Sequence, residues 1–139
     1  MAKSSHKIRL HAAPDHVYQA LTTQAGLQSW FTPHVEGQVS EGHEVKMSFS
    51  GKEPFRWRMS AFKPTTHVHW KCLEGPGSAK GTSVTYTLNG QGGQTVLECD
   101  HGGWPEGHEA FATCNTLWGI LMGRLKEYAE TGKANPAFA

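Results

Sequence analysis

The sequence predicts an α+β domain: a curved antiparallel sheet of about six to seven strands wrapped on one long C-terminal helix, with two short helices after the first strand. Three observations predict it. Between residues 44 and 101, successive runs alternate apolar and polar side chains, the mark of strands with one buried face. Only turn chemistry separates these runs, which makes them antiparallel neighbours. After Gly102-Gly103-Trp104-Pro105 the period changes from 2 to 3.6, so that Phe111, Cys114, Trp118, Leu121, Leu125 and Tyr128 share one helix face.

In chain order, His6-Lys7-Ile8-Arg9-Leu10-His11 alternates, with Ile8 and Leu10 on the inner face. Pro14 suits the first position of a helix, where its missing N–H costs nothing, and Asp15 favours the helix dipole. Val17, Ala20 and Leu21 form that helix's apolar stripe. Gly26 is expected to interrupt, and a second short helix carries Leu27, Trp30 and Phe31 until Pro33 ends it. The inward parity of the strands then gives Val45, Met47 and Phe49; Phe55, Trp57, Met59 and Ala61; Val68, Trp70 and Cys72; Val84, Tyr86 and Leu88; Leu97, Cys99 and His101. The terminal helix is expected over residues 106–131, roughly 25 residues or about 37 Å. Gly132 stops it and Pro136 forbids its resumption. The tail at 133–139 is expected to be loosely held. One domain, 1–139, accounts for the whole sequence.

Composition bounds the function. Thirteen Lys and Arg stand against twelve Asp and Glu, so no basic face for nucleic acid is visible. No apolar run approaches the roughly 20 residues of a membrane span, and no charged-then-apolar leader opens the chain. A cytoplasmic setting agrees with three widely spaced cysteines, Cys72, Cys99 and Cys114, each of which reads as a small buried hydrophobe. Nine histidines invite a metal reading, but no Cys-x-x-Cys or His-Glu-x-x-His occurs. His67-x-His69 falls on an outward face, beside the parity of Arg56 and Arg58. No metal and no cofactor is expected.

Several stretches carry a family resemblance. They are Ala13-Pro14-Asp15-His16-Val17-Tyr18-Gln19-Ala20-Leu21-Thr22, then Gly26-Leu27-Gln28-Ser29-Trp30-Phe31, then the strand 93–101 with its exit Gly102-Gly103-Trp104, and finally 118–128 followed by Thr131-Gly132. In order and spacing the chain resembles the helix-grip superfamily (START-like, SRPBCC), and within it the bacterial single-domain type of the activator-of-heat-shock-protein-ATPase homologue family. The resemblance implies a cavity between sheet and helix. Relatives use such a cavity for lipids, sterols, polyketides or hormones, and some are cyclases or regulate chaperones.

The residues themselves point to an apolar pocket with few polar anchors. Trp57, Met59, Trp70, Tyr86, Phe111 and Trp118 are expected to shape it, with Trp30 and Phe49 also lining it and His101 and Asn115 as polar contacts. Binding of a small, largely apolar ligand (lipid, polyketide or aromatic) is the primary expectation. One alternative is a cyclase, dehydratase or hydrolase with His101 as general base. The other is a co-chaperone-like or stress-response interaction module with a chaperone partner. Gly119 and Gly123 each cost about 1 kcal/mol in a helix against alanine. They suggest close packing on another helix or on a homodimer partner.

Overall fold

The computed structural model of the chain describes residues 2–48, 53–75, 79–104 and 109–138, and the side chains of these except at 2 and 109–114. Its elements are β1 (Ala2–Leu10), α1 (Pro14–Thr22), α2 (Gln24–Trp30), β2 (Val35–Gly37), β3 (Glu44–Met47), β4 (Phe55–Lys63), β5 (His67–Glu74), β6 (Ser83–Gln91), β7 (Gln94–Trp104) and α3 (Glu109–Thr131). All seven strands join one antiparallel sheet in the order β1-β7-β6-β5-β4-β3-β2. Strands β2 to β7 meander, and β1 closes beside the last of them.

Alternation sets what the sheet buries. Val68, Trp70 and Cys72 on β5, Val84, Tyr86 and Leu88 on β6, and Leu97, Cys99 and His101 on β7 all lie inside. Trp118, Leu121, Met122 and Leu125 of α3 meet them from the other side. The wet face holds exposed Arg56 and Arg58, and Arg56 pairs with Glu74 at 3.0 Å.

Four details depart from the sequence reading. First, the β4–β5 register slips between Met59 and Ala61, so that Met59 faces Trp70, Ala61 faces His69 and Phe62 faces Val68. The bulge ends the alternation: Ala61 is only half-buried, and Phe62 takes the place against the core. Second, the break between the short helices falls at Thr23, whose hydroxyl accepts from the Gly26 N–H at 3.0 Å. Gly26 sits within α2, where an added Cβ would lie 2.8 Å from the backbone of Ala20. Its service is close approach of α2 to α1.

Third, β7 continues through Gly102-Gly103 to Trp104, residues expected to form the strand's exit. The helix start expected at 106 lies outside the described residues. Fourth, the tail is docked. The N–H groups of Asn135, Ala137 and Phe138 donate to the carbonyls of Ser29, Trp30 and Phe31 at 2.9, 3.1 and 3.1 Å. These carbonyls close α2, where a helix has no partners of its own. The Phe138 ring lies 5.9 Å from that of Phe31.

Candidate functional site

The site is built around His101. Its place on β7 turns the imidazole inward, and only 2% of the residue is exposed. Opposite it the segment 79–82 makes a tight turn: Gly81 takes φ +91°, and the Thr82 N–H donates to the Ala79 carbonyl at 3.0 Å. A left-handed third residue is what a type II turn requires, and glycine adopts it without strain. The Thr82 hydroxyl then donates to the same Ala79 carbonyl at 2.6 Å, leaving a lone pair toward His101 Nε2, 2.8 Å away. From α3, the Trp118 indole N–H donates to His101 Nδ1 at 2.8 Å.

The donors assign the proton. An indole N–H can only donate, so Nδ1 must accept and Nε2 must carry the hydrogen. The line therefore runs from Trp118 N–H to Nδ1, from Nε2–H to the Thr82 oxygen, and from Thr82 O–H to the Ala79 carbonyl. It fits a neutral imidazole. Burial reinforces this by lowering the His101 pKa from 6.5 to about 4. With its one lone pair held by Trp118, His101 has no free nitrogen with which to act as a base in this arrangement.

Around this line lies an aromatic interior. The His101 ring is 4.7 Å from Trp104, 5.8 Å from Trp118 and 6.0 Å from Trp57. Trp57 lies 5.6 Å from Trp70, Trp70 lies 5.0 Å from Tyr86, and Tyr86 lies 6.1 Å from Trp118. Trp57 Nε1, Trp70 Nε1 and the Tyr86 hydroxyl are buried and have no hydrogen-bond partner among the described residues. Burial raises the Tyr86 phenol and the Cys99 thiol well above their ordinary values, so both stay protonated.

The structure thus gathers Trp57, Met59, Trp70, Tyr86, His101 and Trp118 inside. Trp30 is buried but apart: its indole N–H donates to the Ala20 carbonyl at 2.8 Å and ties α2 to α1. Asn115 stands exposed on α3, and among the described residues the hydrogen bonds of the His101 ring go to Thr82 and Trp118. Phe49 and the side chains of Phe111 and Cys114 lie outside the described residues. Phe31 is a hub, 5.9 Å from Trp118 and 6.3 Å from Trp70. Sequence reasoning missed Thr82 and Phe138. The Lys80-Gly81-Thr82 turn was the available signal for the first, and nothing local marks the second. Elsewhere an open groove of about 710 Å³ runs between α1 and the end of α3, lined by His16, Gln19, Thr23, Tyr128 and Glu130 among others. Among the described residues no three His, Cys, Asp or Glu side chains gather as a metal site, and no helix is long and apolar enough to cross a membrane.

A curved antiparallel sheet closed over one terminal helix, with an aromatic interior between them, defines a helix-grip domain. The chain belongs to the family described as Activator of Hsp90 ATPase homolog 1-like protein, whose model matches residues 11–130. It is similar to the Aha1 dimer from Colwellia psychrerythraea, solved in solution, with 30% identity and a TM-score of 0.87 over 96% of this chain and 100% of that one. It is also similar to MLL2253 from Mesorhizobium loti, at 17% identity and a TM-score of 0.80 over 91% and 95% of the two chains. A third similar structure is DynU16, a protein of the dynemicin biosynthetic locus, at 25% identity and a TM-score of 0.77 over 95% of this chain and 48% of that one. Comparison with curated proteins gives no match.

The His101 line makes stability depend on pH. Between about 4, its folded pKa, and about 6.5 the unfolded chain binds a proton that the folded chain refuses. Stability is therefore full above about pH 6.5 and falls as pH drops toward 4, by about 3 kcal/mol in all. Glutamine at this position has a donor and an acceptor but does not titrate. Urea unfolding between pH 4 and 7 should show the His101→Gln variant losing less stability on acidification than the wild type, by about that amount. Parallel pH profiles would contradict the assignment.

Proposed function

We propose that the chain binds a small, largely apolar molecule between the sheet and α3. The observation that carries this reading is the three buried polar atoms of Trp57, Trp70 and Tyr86 with no partner among the described residues. Leaving such a group unpaired costs about 1–3 kcal/mol. Phenylalanine would fill the same space without that cost. Retaining two indoles and a phenol there makes sense where a guest completes their hydrogen bonds. The rings supply the apolar wall, and burial of about 300 Å² of guest surface would be worth roughly 7 kcal/mol before the costs of association.

Catalysis by His101 is the weaker reading, because Trp118 holds its lone pair. The co-chaperone reading rests on the family description rather than on a side chain of the interior.

Nile red, a neutral dye whose emission shifts to the blue in apolar surroundings, tests the binding reading. Saturable one-site binding is expected, and it should be lost in a folded Val84→Trp variant that fills the interior. Binding unchanged in that variant would overturn the reading.

We also infer that two copies associate through the outer face of α3. The Colwellia relative is named as a dimer. On α3, Gly119 and Gly123 are exposed, and a Cβ added at Gly123 would meet nothing within 4 Å. Among the described residues no helix of the same chain packs against that glycine. Ile120 beside them is 49% exposed, the one exposed large hydrophobic among the described residues. Sedimentation equilibrium should show a concentration-dependent dimer for the wild type and a monomer for Ile120→Asp. A dimer that persists in Ile120→Asp would place the contact elsewhere.

A further inference from the structure

The aromatic interior is one-sided in its chemistry. Trp57 Nε1 and Trp70 Nε1 can donate and cannot accept. The Tyr86 phenol, kept protonated by burial, has a donor to offer as well. The three groups lie on a continuous run of rings, Trp57 to Trp70 to Tyr86, spaced 5.6 and 5.0 Å. Across from them, the acceptor nitrogen of His101 is already occupied by Trp118. Among the described residues no Lys, Arg, Asp or Glu is buried. What the interior has left to give is N–H and O–H groups, and no charge.

Resting on the reading that a guest binds here, we propose that the guest is a neutral molecule with a flat apolar frame and one or more carbonyl oxygens, which accept from Trp57, Trp70 and Tyr86. A carboxylate or phosphate would carry a full charge into a space with no countercharge among the described residues, so fatty acids and phosphorylated metabolites are disfavoured. A pure hydrocarbon would leave all three donors unpaired. The tilted and edge-on rings offer both faces and edges, on which a flat aromatic guest packs well. The carbonyl is recognised and held, and no bond is made or broken.

Three probes with one frame separate these terms: 9-fluorenone, with a carbonyl; fluorene, with no polar group; and fluorene-9-carboxylate, with a charge. Their binding to the full-length chain is read by quenching of tryptophan fluorescence. Fluorenone is expected to bind about tenfold more tightly than fluorene, the effect of one or two net hydrogen bonds, and the carboxylate more weakly than either. Tyr86→Phe, which keeps the ring and removes only the hydroxyl, should reduce the ratio of fluorenone to fluorene affinity, and Trp57→Phe should reduce the same ratio. The infrared carbonyl stretch of bound fluorenone should move to lower frequency in the wild type and less so in these variants. Equal affinities for fluorenone and fluorene, or tighter binding of the carboxylate, would overturn the proposal and leave the apolar-guest reading standing. Binding of none of the three would overturn both.

Discussion

A buried hydrogen-bonded line, from Trp118 through His101 and Thr82 to Ala79, ties the long helix to the sheet. At the exposed edge the Lys126 ammonium also donates to the Arg9 carbonyl of β1 at 2.7 Å; in the interior, helix and sheet otherwise meet through apolar contacts among the described residues, which reward burial but tolerate sliding and rotation. A line of directed bonds does not. It requires Trp118 to face β7, His101 to face inward and Thr82 to be held by its turn, and it works with one tautomer of the imidazole. Buried polar groups are costly when unpaired, so partial failure of the line is penalised at each member.

The completeness of that line throws the neighbouring groups into contrast. A few ångströms away, the indoles of Trp57 and Trp70 and the phenol of Tyr86 stand equally buried and have no partner among the described residues. One polar set holds the frame together, and the other stands unpaired within it. The frame is also braced from outside. The tail covers the last carbonyls of α2, and its Phe138 ring rests on Phe31, which in turn touches Trp118. The end of the chain, the short helices and the long helix thus share one aromatic junction.

Most of the architecture was legible because period-2 and period-3.6 patterns are local and strong. Trp57, Trp70, Tyr86, Cys99 and His101 lie inward as alternation requires, and Trp118, Leu121 and Leu125 face the sheet as helical spacing requires. What local pattern could not show was long-range or irregular. The bulge that exchanges Ala61 for Phe62 depends on the pairing of β4 with β5. Gly26 looked like a breaker, but its lack of a side chain serves a close approach to Ala20 made only after the helices fold together. The docked tail answers a need at the far end of α2 that nothing in residues 133–138 announces. Asn115 lay near His101 in expectation because helix and strand could be aligned only roughly, and a difference of one helical position turns a side chain by about 100°. Thr82, fixed by its own turn, fills the role.

The joining of helix to sheet shows most directly in the protonation pattern of His101, which nitrogen NMR of the folded protein at pH 7 reads out. The expected spectrum shows a neutral ring with its hydrogen on Nε2, an unprotonated Nδ1, and a Trp118 indole N–H that exchanges slowly with solvent. A charged ring, hydrogen on Nδ1, or rapid exchange at the Trp118 indole would mean that helix and sheet are not joined by this line.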